Sequence, residues 1–304
     1  MVLDGSLFSV NYINNQLDTS SNIIWRNIMS KLVPVLAVVV VIAVAGAGAA
    51  IFLLNNQDKT PTATILIEDD DGVYFWMEGK GETLMDALKK PSAGVTVTID
   101  GQMVNGFNGL LAKETESAWL YWSLYYLDGT EWKYSDVGAS ELKVSEHPTV
   151  GFFYASMDKT TYETTGGPGS VTIPSVEDKK VWNGSTSGTV FAIKGESGLY
   201  FYINSSASGT MADRFKAATD DYKVPFVASK SGISKLFGIG SVQDPVTEVW
   251  SYWAQFGLID GNWGYMPTTM PNTDNPDDYK QFAVVYGNGG MGTTDTPLPP
   301  IYSA

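Results

Sequence analysis

Short apolar runs of β-rich composition mark the first readable stretch of this chain. Ala63–Glu68 (ATILIE) and Val73–Glu78 (VYFWME) are parted by Asp69-Asp70-Asp71-Gly72, whose turn chemistry predicts a hairpin. The period then changes. In GETLMDALKKP, Leu84, Met85 and Leu88 fall on one helical face, Thr83 is placed to cap the start and Pro91 to enforce the stop. Strands resume at VTVTID, WLYWSLYY and VGFFYA. One short helix packed on a mixed or antiparallel sheet is the economical arrangement for that order, so the pattern predicts an α+β fold.

The same order occurs twice. Ala63–Met85 aligns without gaps on Thr189–Met211, so that Gly72, Tyr74, Phe75 and Met85 recur as Gly198, Tyr200, Phe201 and Met211. After a one-residue insertion, Asp86, Leu88 and Lys89 meet Asp213, Phe215 and Lys216, with Thr210 as the second helix cap. AWLYWSLYYLDGTEWKY then faces VWSYWAQFGLIDGNWGY, and Gly151–Tyr154 faces Ala283–Tyr286. Repetition at this spacing predicts two copies of one module, over 63–163 and 188–292. Residues 164–187 between them are rich in Gly, Ser, Thr and Pro, which is linker chemistry, and 293–304 reads as a tail without regular structure.

In the aromatic strand, alternation puts Trp119, Tyr121, Ser123 and Tyr125 on one face, matched by Trp250, Tyr252, Ala254 and Phe256. That face is apolar in both copies and is expected to be core. The opposite face reads Leu120, Trp122, Leu124, Tyr126 in the first copy but Ser251, Trp253, Gln255, Gly257 in the second. Leu120 and Leu124 are therefore expected to pack between modules. Trp122, Tyr126, Trp132, Trp253 and Trp263 are the expected ligand or partner contacts, since broad flat rings with polar tips provide most binding energy where no catalytic set exists. Intramolecular packing of these rings is the competing reading.

Composition narrows the chemistry. The chain has no cysteine and a single histidine, His147, which removes thiolate catalysis, Cys-ligated zinc and any site needing two imidazoles. His147 precedes Pro148 in a polar turn and reads as a surface histidine rather than a catalytic base. Gly287–Gly292 fits G-x-G-x-x-G, yet too little chain follows it for the helix and βα units that a dinucleotide needs. No enzymatic activity is expected. The net charge of −14 opposes phosphate-backbone binding, so nucleic acid is not an expected partner. Hard oxygen ligands for Ca²⁺ occur at Asp69, Asp70 and Asp71 and again at Asp274, Asp277 and Asp278, without EF-hand spacing; solvated turns are the alternative. Asn183-Gly184-Ser185 and Asn204-Ser205-Ser206 are glycosylation sequons in segments expected to be exposed.

Charge is unevenly placed. Asp4, Asp18, Arg26 and Lys31 cancel within the first 57 residues, and the remainder carries the whole −14. Between the two parts, Leu32 to Leu54 is uncharged and would reach roughly 34 Å as a helix, enough to cross a hydrocarbon core of about 30 Å. A buried core helix or a cleaved signal peptide, with Ala45-Gly46-Ala47 as a cleavage site, competes with an uncleaved anchor, which the following IFLL favours. Arg26 and Lys31 on the N-terminal flank put residues 1–31 in the cytoplasm and everything beyond the span 32–54 and connector 55–62 outside.

The ordered set GETLMDALK, Ile99-Asp100-Gly101, Trp119–Gly129, Val137-Gly138-Ala139 and a final aromatic strand resembles the transcobalamin-like C-terminal domain family. The first copy covers nearly the whole pattern; the second lacks a clear Val-Gly-Ala segment. The resemblance implies tandem β-grasp-like modules of a kind found in secreted and surface-anchored archaeal and bacterial proteins, and extracellular binding or display. It is not expected to bring a cobalamin site, because that use belongs to one branch of the family and involves a second domain. The expected function is that of a single-pass, membrane-anchored extracellular binding or adhesion protein, with other envelope proteins or a small extracellular ligand as partner. A structural envelope subunit forming a lattice or filament is the first alternative, and a surface receptor for a small cofactor or sugar is the second.

Overall fold

The acidic turn is where the first hairpin closes. Asp69 Oδ1 accepts the backbone N–H groups of Asp71 and Val73, and Gly72 takes a left-handed φ of 81° that a side chain would resist. The computed structural model describes residues 60–168, 175–230, 232–266, 270, 275–289 and 294–303. The expected cytoplasmic tail and the run 32–54 lie outside them. Among the described residues no helix is long and apolar enough to cross a membrane.

In the first module β1 (Thr62–Glu68) and β2 (Tyr74–Lys80) form that hairpin, and helix α1 (Leu84–Leu88) follows. Thr83 caps α1, its hydroxyl accepting from Asp86 N–H. A small sheet comes next, from β3 (Val97–Asp100), β4 (Met103–Phe107) and β5 (Leu110–Leu111). The main sheet resumes with β6 (Lys113–Glu114), β7 (Ala118–Asp128), β8 (Glu131–Tyr134), β9 (Thr149–Asp158) and β10 (Thr164–Thr165). Its order is β2-β1-β9-β7-β6, with β1 and β9 parallel and the other pairs antiparallel; β8 pairs with β7 and β10 with β9. Ile65, Leu66 and Ile67 are all fully buried, as expected of a central strand covered on both faces.

The second module repeats this arrangement with β11 (Thr189–Lys194), β12 (Tyr200–Ser205), helix α2 (Met211–Asp221), β13 (Phe226–Ser229), β14 (Gly232–Leu236) and β15 (Ile239–Gly240). β16 (Val242–Gln243), β17 (Trp250–Ile259), β18 (Asn262–Tyr265) and β19 (Gln281–Gly289) complete it. The order β12-β11-β19-β17-β16, with β11 and β19 parallel, is that of the first sheet. Thr210 and Asp213 close a full capping box at α2. The fold is therefore strand-rich α+β. Residues 60–304 group as one compact unit, and one continuous apolar core runs through both modules.

Two expectations about packing are corrected. Phe215 of α2 packs on Phe191, which pairs with Phe282; the positions alternating with Phe282 are Val284 and Tyr286, which pair with Gln255 and Trp253. The helix thus covers the face that carries Trp253 and its counterpart Trp122; the face chosen from its apolar composition is core only in part, with Ser123, Ala254 and Phe256 buried. Trp119 and Trp250 are 37 % and 48 % exposed, while Trp122 and Trp253 are buried. The second correction concerns residues 164–187. Among its described residues Thr164 and Thr165 pair with β9, Val176–Asp178 forms a 3-10 turn, and Trp182 is buried against Tyr202 and Tyr302, so part of this segment takes defined structure.

Candidate functional site

The residues singled out from sequence are dispersed by the fold. The Trp122 and Trp253 indoles donate to Leu110 O and Ile239 O, the same core bond in each module, which removes them from any binding surface. Tyr126 lies 4.1 Å from the half-buried His147 ring, centroid to centroid. Trp132 packs edge-on against Phe153 and borders a cleft of about 360 Å³ with Leu127, Thr130 and Val176. Trp263 is covered by the chain's own tail, its indole donating to Pro299 O at 2.8 Å. Leu120 and Leu124 are half-buried in their own module, and the contacts between modules described below are made by other residues.

Asp69, Asp70 and Asp71 are brought together, with ligand atoms within 4.8 Å of one another. However, the buried Asp69 carboxylate is already held by two backbone N–H groups and the Ser197 hydroxyl, which leaves two exposed carboxylates where calcium takes six to eight oxygens. The second acidic set does not assemble a site from its described members. Asp277 pairs with Arg214 at 2.7 Å, Asp278 is exposed, and Asp274 lies outside the described residues. Asn183 is exposed as expected. Asn204 lies half-buried in β12, its amide donating to Ser187 O and accepting from Tyr222 Oη, so it is less open than the exposed segment expected for it.

A different site forms where the modules meet. The hairpins β1–β2 and β11–β12 face each other, and Phe75 stacks on Phe201, its own repeat partner, at 5.6 Å and 14°. The flanking contacts are reciprocal. Tyr74 packs edge-on to Phe237 at 5.2 Å, and Tyr200 lies against the equivalent turn of the first module, Asn108-Gly109. Both turns join the second and third strands of the small sheets and take left-handed φ at both central residues, 40° and 86° for Asn108-Gly109, 54° and 80° for Phe237-Gly238. Asn tolerates that conformation; a Phe there is held only because its ring is seated between Tyr74 and Phe201. Hydrogen bonds join the same elements: Asn108 Nδ2 to Tyr200 O at 2.7 Å, Tyr74 Oη to Lys223 O at 3.1 Å, and Ser197 Oγ to Asp69. The ring contacts are the self-complementary kind of an isologous dimer, made within one chain, while the three hydrogen bonds link non-equivalent positions.

Alongside this seam lies a nearly closed cavity of about 20 Å³, walled by Tyr74, Phe75 and Trp76 of β2, Phe201, Tyr202 and Ile203 of β12, and by Ser92–Val95, Tyr222 and Val224 from the matching loops. Trp182 and Lys180 close one side. Its remaining opening is close to what a single water needs. The wall hydroxyls are already committed, with Tyr74 donating to Lys223 O, Tyr202 to Pro300 O and Tyr222 to Asn204. Burial pushes all three phenols above their usual range, so they stay neutral. Lys180 pairs with Asp221 and lies 4.4 Å from the Tyr222 ring centre; burial lowers its ammonium below the usual lysine range. Two donors remain. Trp76 Nε1 and Trp182 Nε1 are buried, in residues only 5 % exposed, and have no hydrogen-bond acceptor among the described residues.

Sequence reasoning missed this cleft. Tyr74 and Phe75 were visible as repeat positions, but Trp182 sits in the segment read as linker, and nothing local marks it as a wall residue. No family model matches this sequence, and neither a curated protein nor a solved structure matches it.

Proposed function

We propose that this chain is a non-enzymatic binding protein of the cell surface, built from two β-grasp-like modules fused into one body and tethered through residues 32–54. In each module a hairpin, a helix and a final strand parallel to the first support the β-grasp-like reading and, with it, the resemblance to transcobalamin-like domains. The observation that carries binding is the seam cavity, with two buried indole donors left without acceptors among the described residues. Native sites satisfy such groups, and a well-formed apolar pocket with a few polar groups is where a ligand is first sought.

Topology is tested by protease shaving of intact cells, which should remove residues beyond the span and leave a short anchored fragment; a protected C-terminal bulk overturns the surface assignment. Binding is tested on the full chain in detergent by thermal shift against small-molecule extracts of the growth medium and envelope. A saturable rise in melting temperature is expected, and a flat response across all fractions counts against a small-ligand receptor. A structural envelope role is the second reading, favoured by Trp119 and Trp250, which lie exposed at the same position of both modules. A regular lattice or filament on cells, lost when both are changed to serine, would support it.

A further inference from the structure

We propose that the second module carries a receptor groove for a proline-rich segment, and that a second copy of this chain supplies that segment by exchanging its C-terminal tail. No ligand in the seam cavity is needed for it. The groove lies on the sheet face opposite α2. Phe215 of α2 packs on Phe191, whereas Tyr202 pairs with Ala192, the next position along β11, and so points to the other side. Trp263 pairs with Leu258, in phase with Ala254 and Phe256, which puts it on that same side.

The tail crosses this face with a period of three. Thr296 and Pro299 are buried and Tyr302 is half-buried, while Pro297, Pro300, Ile301 and Ser303 are exposed and Leu298 is half-buried between them. Three residues per turn is the repeat of polyproline II, and Pro297-Leu298-Pro299-Pro300 is preset for it. Three prolines also bring no N–H that would be left unpaired on a sheet face. The groove reads the main chain of this segment. Trp263 Nε1 donates to Pro299 O and Tyr202 Oη to Pro300 O, both at 2.8 Å. Gln281 grips Tyr302 twice, its Nε2 donating to Tyr302 O at 2.8 Å and its Oε1 accepting from Tyr302 N–H at 3.0 Å. The Tyr302 ring lies edge-on to Trp182 at 4.4 Å. Aromatic grooves that dock a preformed proline helix are a recurring mode of peptide recognition.

The same segment is lightly held. Among the described residues it pairs with no strand, and its outer positions face solvent, so it belongs to the part of the molecule that opens locally at low cost. Its base is better fixed: Asp295 N–H donates to Asn288 O and Thr296 Oγ1 to Tyr286 O, both on β19. Residues 297–304 are therefore the part that exchanges, about 25 Å long as polyproline II. The partner follows from the occupant. The groove holds this chain's own sequence, so a neighbouring copy carries a segment that fits without adaptation. A tail seated in a neighbour's groove remakes each of these contacts, and the groove it left is open to another tail. Reciprocal exchange closes a dimer; one-way exchange continues from copy to copy.

The test mixes two full-chain variants in detergent, each already folded, so that the seam stays closed. In the tail variant, Pro299→Gly with Pro300→Gly keeps both carbonyls and removes the preset helix. In the groove variant, Tyr202→Phe with Trp263→Phe removes the two donors, and Gln281→Ala replaces it if that pair disturbs the fold. The indole signals of Trp122 and Trp253, both bonded in the core, report that each variant is native. Each variant alone should sediment as a monomer, and the equimolar mixture should give a one-to-one complex of about twice the mass. A fluorescent peptide of residues 296–304 should bind the tail variant saturably and the groove variant about tenfold more weakly. Wild type should bind it more weakly than the tail variant, because its own tail competes. Peptide binding without a complex in the mixture would overturn the second copy as the partner. Equal binding of a peptide carrying both glycines would overturn polyproline recognition. If the native tail variant binds no peptide, the tail is a fixed cover of its own module and the proposal fails.

Discussion

Asp69 shows how one buried carboxyl ties the seam to pH. Burial, reinforced by Asp71 and Asp70 beside it, pushes its carboxyl up to about 8, against the opposing pull of the Ser197 hydroxyl and Val73 N–H. Between its ordinary 3.8 and about 8, the folded chain holds a proton that the unfolded chain has released. Folding stability is therefore greatest on the acid side of this group and falls as pH rises through that window, by at most about 1.4 kcal/mol per pH unit. Urea midpoints measured from pH 5 to pH 8 should decline, and Asp69→Asn, which keeps an acceptor for the turn, should flatten the decline. An unchanged slope in the variant would show that another group is responsible. Asp71 is raised in the same direction by burial and by Asp70 and Glu196, so it leaves a smaller residual slope of the same sign. None of this is visible in Asp-Asp-Asp-Gly as a string, which reads equally well as a solvated turn or a cation site; only the arrival of Ser197 from 128 residues away decides it.

At the scale of elements, the hairpins, both helix caps and the repeat were legible because each depends on neighbours in sequence. Thr83 and Thr210 accept from the N–H groups three residues on, as their spacing predicts. The face of β7 was not legible. Both of its faces carry large apolar side chains, and the choice depends on where α1 and the small sheet land, which is long-range information. Helix placement also depends on a glycine. A Cβ on Gly79 would sit 2.2 Å from Ala87 O, so Gly79→Ala should lift α1 from β2 and cost about 1–3 kcal/mol, read as a lower melting temperature. Gly138→Ala, with open space around it and no left-handed φ, is the control and should change little. Thr210→Ala should remove the capping box and cost about 1 kcal/mol, with local hydrogen exchange rising in the first turn of α2. If Gly79→Ala and Gly138→Ala behave alike, close helix–sheet approach is not what fixes α1.

Across the whole molecule, the modules share a core, so they should fail together. Phe201→Ala removes the ring on which Phe75 stacks and Phe237 rests, at a cost of about 3–5 kcal/mol. Thermal unfolding of the region beyond residue 60 should remain a single transition in both wild type and variant, and hydrogen exchange should show β1–β2 losing protection along with β11–β12. Two separated transitions, with the first module untouched by Phe201→Ala, would mean that the seam adds contact without cooperativity.

The reciprocal pairing at the seam has one more consequence, for assembly. The surfaces that bring Phe75 onto Phe201 within a chain would match equally well between two chains, so the seam does not specify to which molecule its halves belong. What keeps the halves together is the covalent connection through residues 164–187, which gives them an effective concentration that a second chain does not match in dilute solution. Refolding well below that concentration should return monomers. As it is approached, halves exchange between chains and give dimers in which every contact is native and only the bookkeeping of chains has changed, separable by size but indistinguishable in core signals.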